Sequence, residues 1–289
     1  MSPQPLSPCR RGTPIRLILV TLLTVCVASP AARAQYGNCE VTGQKGAYHI
    51  TPVTPGQLTV EVSLPAPGWW NGDTPDTIKD GYEYCMAANI AYRAGLDKLN
   101  VVNVSWAQLI GGNTRNFDLA LDQASITEPR KKVVDFSVPY FNSDIGILVK
   151  AGTKADSDTV KNMRIGVHQG TTGADFITNV LKPTKPVAVY ANVPATIAAL
   201  EAGQIDAVAN DTAYNLGYAS KSNGTLVVIG QYHTGETYGA VYPKGSPNEA
   251  TFDKIIQSMK EDGTLDALAK KYLAAAWGAD PTNIPYFQP

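Results

Sequence analysis

Residues 117–130 read Phe117-Asp118-Leu119-Ala120-Leu121-Asp122-Gln123-Ala124-Ser125-Ile126-Thr127-Glu128-Pro129-Arg130. Residues 117–121 are a short, mostly apolar run of strand type. The run opens directly into a polar segment carrying Asp122, Gln123, Ser125 and Arg130. Ligands of open α/β sheets bind beyond the C-terminal ends of the strands. A strand followed at once by such side chains therefore reads as one wall of a binding site.

Working outward, the same alternation continues on both sides. Upstream, 58–62 alternates in polarity as a strand. A Pro/Gly-rich loop with Trp69 and Trp70 follows, then a helical stretch over 82–94 stopped by Gly95, then a strand at 101–104. Downstream, 145–149 and 164–167 read as strands. Gly170-Thr171-Thr172-Gly173 opens a helix over 174–181, 187–190 is a strand, and a helix over 194–202 stops at Gly203 before a strand at 205–208. This pattern predicts an α/β fold with a largely parallel sheet. The segments Leu109…Gly112…Phe117-Asp118-Leu119-Ala120 and Leu200…Gly203…Ile205-Asp206-Ala207-Val208 echo one another. Two similar lobes explain the echo, and so does chance likeness between two βαβ units. Near the C-terminus, Phe252, Ile255, Ile256 and Met259, then Leu265, Leu268, Ala269 and Tyr272, mark two amphipathic helices separated by Gly263, with Thr264 placed to cap the second. These stripes are core signals.

The 289 residues are 44% hydrophobic and 17% charged, which excludes a disordered chain. A formal charge of −1 excludes a basic nucleic-acid binder. Three scattered histidines, without CxxC or HExxH, argue against a metal site. Arg10, Arg11 and Arg16 precede an apolar run over 17–27, then Ser29-Pro30-Ala31-Ala32-Arg33-Ala34. This is the pattern of a secretory signal cleaved after Ala34, too short to span a bilayer. Cleavage removes four arginines and no acids, taking the formal charge to −5. It also leaves Cys39 and Cys85 as the cysteines of the mature chain, which in an oxidising compartment suggests one disulfide between an N-terminal extension, 35–56, and the helix carrying Cys85.

Three segments fall at strand ends: 122–130, Gly170-Thr171-Thr172, and Asn210-Asp211-Thr212. Together they suit a zwitterion. Arg130 can clamp a carboxylate, Ser125 and the amides near Thr172 can add donors, and Asp211 can pair with an ammonium. Trp69, Trp70 or Trp106 can cover the rest of a ligand. The same residues also fit plainer roles: Arg130 with Lys131 and Lys132 as a solvated face, Ser125 and Thr172 as caps, and Asp211 as an N-cap.

At these residues the chain resembles the family 3 solute-binding proteins of ABC importers, the polar amino-acid-binding group. The likeness runs over about 58–273. Its strongest part is the opening segment continued through Val134-Asp135-Phe136-Ser137-Val138-Pro139-Tyr140. Gly166-Val167-His168-Gln169-Gly170-Thr171-Thr172, the strand from Gly203 to Asp211, and Gly263-Thr264-Leu265 through Tyr272 follow in the family's order. The resemblance implies a two-lobed, type II periplasmic-binding-protein-like α/β fold with two crossing hinge strands. It puts lobe 1 at 57–143 and 240–276, lobe 2 at 144–239, and a tail at 277–289. Arg130 would bind the ligand's α-carboxylate with Ser125 and Thr172 assisting, and Asp211 the α-ammonium with a backbone carbonyl near Gln123. Trp106 would stack on the ligand, with Trp69 near the other aromatic wall. His168 stands where relatives vary with specificity, and Gly170 lies in the carboxylate loop.

Asp122 and Gln123 depart from the small residues usual at their positions. With no spare Arg or Lys to meet a second carboxylate, the reading favours a cationic or amide amino acid over aspartate or glutamate. The implied protein is a monomeric periplasmic or extracellular binder without cofactor, handing a free amino acid to a membrane permease. The competing readings are an enzyme like the cyclohexadienyl dehydratases, with Asp122 as general acid, and a receptor's sensory domain.

Overall fold

The computed structural model describes residues 1–4, 36–274, 277–278 and 281–289. Beyond its first four residues, the expected export segment lies outside the described residues. The strands are β1 (Gln57–Val62), β2 (Lys98–Asn103), β3 (Leu119–Ala120), β4 (Asp135–Phe136), β5 (Phe141–Lys150), β6 (Ile165–His168), β7 (Ala188–Tyr190), β8 (Ala207–Asp211), β9 (Leu226–Tyr238) and β10 (Val241–Tyr242). The helices are α1 (Tyr82–Arg93), α2 (Trp106–Ile110), α3 (Glu128–Lys131), α4 (Ser157–Val160), α5 (Thr172–Phe176), α6 (Val193–Glu201), α7 (Thr212–Lys221), α8 (Glu249–Glu261) and α9 (Thr264–Ala269).

Two five-stranded sheets result, in the orders β2-β1-β3-β10-β4 and β7-β6-β8-β5-β9. The parallel sheet expected from the alternation needs correction. Parallel pairs (β1 with β2 and β3, β6 with β7 and β8) are matched by antiparallel ones: β10 with β3 and β4, and β5 with β8 and β9. The cause is two strands that run against their neighbours: β5, along which the chain enters the second sheet, opposes β8 and β9, and β10, along which it returns to the first, opposes β3 and β4. β5 and β9 pair from Phe141↔Tyr238 to Lys150↔Leu226, with a register shift between Ser143 and Ile145.

Helix ends follow local chemistry. Ser105, Thr127, Thr171 and Asn192 each accept a backbone N–H as N-caps of α2, α3, α5 and α6. The helix expected over 174–181 starts two residues earlier and continues as a π-helical turn over Ile177–Leu181. The C-terminal stripes are core as expected: Phe252, Ile255, Ile256 and Met259 are fully buried. Gly263, at φ 77°, makes the turn between α8 and α9. Thr264 does not cap α9; its hydroxyl bonds Asp262 at 2.5 Å and receives Arg93 Nη2 at 3.0 Å.

The N-terminal extension is bound along the outer face. Cys39 and Cys85 form a disulfide with Cα atoms 5.3 Å apart. Arg93, on α1, donates to Thr42, Ser258, Asp262 and Thr264. Asn248 exchanges two hydrogen bonds with the backbone of Thr51. At the other end, the tail docks on β9. The backbone N–H of Gln231 donates to Pro285 at 2.9 Å and that of Phe287 to Gln231 at 2.8 Å, while the Phe287 ring packs over Gly230.

Trp69 is not the wall it was expected to form. It is fully buried among Tyr82, Phe141 and Tyr238, all within 5.7 Å centroid to centroid. The backbone N–H of Trp69 donates to Ala66 and its carbonyl accepts from Glu83. These bonds fold the loop under α1 rather than over the sheet ends. Trp70 is buried likewise, its indole donating to Glu83 at 2.9 Å.

Candidate functional site

Between the two sheets lies a cleft with an empty volume of about 560 Å³, its open mouth included. The ends of β1, β3, β6 and β8 converge on it, as do the first turns of α2, α6 and α7. Among the residues proposed from sequence, Trp106, Asp122, Gln123, Ser125, Arg130, His168, Thr172 and Asp211 line it. Gly170 contributes through its carbonyl, and Trp69 does not take part.

Arg130 is not part of a solvated face. It is 8% exposed, its Nη1 donates to the Ser125 carbonyl at 2.7 Å, and its Nη2 donates to the Gly170 carbonyl at 3.0 Å. The Trp106 ring lies 4.9 Å from the guanidinium carbon, and its indole N–H also reaches Gly170, at 3.3 Å. Ser125 follows a strand of the first sheet and Gly170 a strand of the second, so one guanidinium ties both halves of the cleft. Burial pulls its pKa down, while Asp211 and Glu236 act to raise it. A guanidinium has five N–H donors, so three remain for a ligand.

Asp211 ends β8 and precedes α7, yet its side chain makes no capping bond. It accepts instead from the Tyr238 hydroxyl at 2.6 Å. Burial, and next the charge of Glu236, raise its pKa to about 7. Asp122 is also buried. Its Oδ1 accepts from the Ser63 N–H at 3.0 Å, and its Oδ2 has no partner among the described residues. Burial holds its pKa well above the usual carboxylate range, with Glu83 pushing the same way and Ser63 and Arg130 against. His168 has its pKa lowered by burial, and its Nε2 lies 3.1 Å from the Ala191 carbonyl. A carbonyl only accepts, so that bond puts the proton on Nε2 and leaves Nδ1 an acceptor.

Gln123, at φ 48°, turns its side chain down onto Glu83, whose carboxyl also accepts the Gln123 N–H at 2.9 Å. It supports the cleft floor rather than reaching across it. Ser125 and Thr172 donate their hydroxyls to one oxygen of Glu236, each at 2.7 Å.

Residues not singled out from sequence complete the walls. Tyr214 and Tyr218, on α7, both donate to the Pro65 carbonyl, at 2.9 and 3.3 Å, joining the second lobe to the loop after β1. Ser63 and Asn192 also face the cleft, as does Asn210 of the expected segment 210–212. The strand-end rule applied to β1 would have found Ser63. No sequence signal pointed to Glu236 or Tyr214.

A family model described as bacterial extracellular solute-binding proteins, family 3, matches residues 66–275. The chain belongs to this family. It is 30% identical over 209 residues to the L-cystine-binding protein TcyJ of Escherichia coli strain K12, covering 70% of this chain and 76% of that one. Among solved structures it is similar to an ancestral arginine-binding protein bound to arginine, with TM-score 0.66 and 29% identity over 75% of this chain and 98% of that one. It is also similar to the ancestral amino acid-binding protein AncCDT-1, a precursor of cyclohexadienyl dehydratase, with TM-score 0.65 and 26% identity over 75% and 95%. The fold is thus the two-lobed architecture of periplasmic amino-acid-binding proteins, with β5 and β9 as the crossing strands.

Proposed function

We propose that this protein is the substrate-binding component of an amino-acid ABC importer, acting outside the cytoplasmic membrane as a monomer and taking a cationic or amide L-amino acid. One observation carries the reading. A buried Arg130 with free donors, a buried Asp211 and an unpartnered Asp122 oxygen converge on one cleft between two lobes. Arg130 meets the α-carboxylate and Asp211 the α-ammonium. Asp122 Oδ2 meets a donor on the ligand side chain, with His168 Nδ1 as a further acceptor. Arg130 is the sole Lys or Arg lining the cleft among the described residues, so a second carboxylate on the ligand finds no counterion. Both lobes touch the ligand, so binding favours the closed state.

The test is a thermal-shift and calorimetric panel on ligand-stripped mature protein. It covers the common amino acids, ornithine, cystine, prephenate and arogenate. A ligand at a hundred times its Kd adds about 2.7 kcal/mol, several degrees in Tm. Responses confined to cationic or amide amino acids are expected. An Asp122→Asn variant should weaken a cationic ligand at least ten-fold and glutamine far less. A response to glutamate or aspartate would overturn the Asp122 assignment. The enzymatic reading has one observation in its favour: Asp122 lines the cleft and burial raises its pKa, the direction a general acid needs. Loss of water and carbon dioxide from prephenate or arogenate in the same samples, leaving the aromatic product, would establish it.

A further inference from the structure

We infer that Glu236 is a positioning residue that sets the hydrogen-bonding polarity of Ser125 and Thr172, turning them from carboxylate donors into acceptors for the ligand's α-ammonium. The inference rests on the amino-acid-binding reading above and sharpens it. A Ser or Thr hydroxyl carries one proton and two lone pairs. Both protons point at the same oxygen, Glu236 Oε2, at 2.7 Å each, and the two hydroxyl oxygens lie 3.5 Å apart. Glu236 is a charged acceptor already in place, and a ligand carboxylate brought to the same hydroxyls would meet its like charge. Once committed there, neither hydroxyl has a proton left to give a ligand carboxylate. Both present lone pairs.

The approach of Glu236 supports this. Ser125 and Thr172 line the cleft, whereas Glu236 lines a separate crevice with Asp144, His233 and Tyr286. The carboxylate therefore reaches the hydroxyls from behind and leaves the cleft open in front of them. Its position is built in by β9. The register shift between Ser143 and Ile145 sets Glu236 opposite Ser143, and Gly235 beside it takes φ 66°. Bulges of this kind re-aim side chains next to binding sites. Two residues on, Tyr238 on the same face holds Asp211 through its hydroxyl. One strand thus prepares every acceptor at this end of the cleft: the two hydroxyls through Glu236, and Asp211 through Tyr238. Asp211 and Glu236 repel one another in the empty cleft, and an ammonium placed between the hydroxyls and Asp211 relieves that repulsion. The ligand carboxylate falls to the three uncommitted N–H groups of Arg130.

The test compares L-arginine with 5-guanidinopentanoate, and L-glutamine with 4-carbamoylbutanoate, by calorimetry. Each pair differs only in the α-ammonium. Wild type should prefer the amino acid strongly. Glu236→Met frees both hydroxyl protons, and the preference should drop at least ten-fold as the deaminated partner holds or gains affinity. Glu236→Gln keeps an acceptor oxygen and should retain the preference within about three-fold. A Glu236→Met variant that is folded by circular dichroism and keeps the wild-type preference, whatever its absolute Kd, overturns the assignment. If the Met variant does not fold, loss of the preference in Glu236→Gln overturns it instead. Failure of wild type to bind any amino acid overturns this inference together with the proposed function, so the two failures are told apart by the wild-type titration.

Discussion

Glu83 gives the sharpest test of how the cleft floor is built. It is fully buried on α1 and accepts from Trp70 Nε1 and the Gln123 N–H, each at 2.9 Å, and from the Gln123 side chain and the Tyr140 hydroxyl. No cation pairs with it among the described residues. Burial raises its pKa from 4.5 to about 7 in spite of the four donors. The folded state therefore holds this proton more tightly than the unfolded chain. The resulting stability is fully present below the unfolded value and is lost as pH rises through about 7. At about 1.4 kcal/mol per unit, the gap amounts to roughly 3 kcal/mol. Glu83→Gln removes the titration and adds a pH-independent loss, because an amide offers one acceptor oxygen where the carboxyl offers two. Urea unfolding of ligand-free protein at pH 5, 6, 7 and 8, with the disulfide intact, should give a variant profile shallower than wild type by about 1 kcal/mol per pH unit between 5 and 7. Asp122 and Asp211, also raised by burial, keep a residual slope of the same sign in both proteins. Parallel profiles for the two proteins would falsify the claim that Glu83 is protonated in the fold at acid pH.

Further outcomes follow from the same geometry. Binding of a cationic amino acid should strengthen from pH 5 to 8 with net proton release, because Asp211 (about 7 when empty) and Asp122 must ionise to pair; calorimetry in buffers of different ionisation enthalpy measures the release. A Cys39→Ser/Cys85→Ser double variant should lose up to about 4 kcal/mol of stability for a bridge spanning 46 residues, with ligand Kd unchanged within two-fold, because the bridge lies outside the cleft. Gly217→Ala would put a Cβ 2.5 Å from the Pro67 carbonyl, across the contact between α7 and the loop after β1; affinity should fall about ten-fold, read by calorimetry, with little change in unfolding midpoint. Gly230→Ala would put a Cβ 2.2 Å from the Phe287 ring and should release the tail, seen as faster proteolysis near the C-terminus at a cost of about 1–3 kcal/mol.

Much of this molecule is written locally. The apolar periodicity of α8 and α9, the glycine stops at Gly95 and Gly263, and the polar loop after β3 depend on neighbours within a few residues. Pattern reading therefore finds them. The Arg130, Asp211 and Ser125 positions were legible for the same reason, since Asp211 ends β8 and the other two lie in the polar segment that follows β3. β9 was not legible. Gly230, Gln231, His233, Thr234, Gly235 and Glu236 break any alternation, and its 13 residues are held by pairing with β5, some 80 residues away in sequence. Trp69 misled because its loop composition says nothing of which side of α1 it folds on; two backbone hydrogen bonds and an aromatic cluster decide that.

The sequence by itself determined the α/β character, the family, the disulfide partners and most of the charged groups of the cleft, because these reside in local pattern and residue chemistry. Only the tertiary structure decided that the sheets are mixed, that Trp69 is core, that Gln123 serves Glu83, and that Glu236 claims the protons of Ser125 and Thr172. The physical reason is shared by all four. Hydrogen-bond direction and burial are properties of groups brought together from distant parts of the chain, and no window of sequence contains both partners.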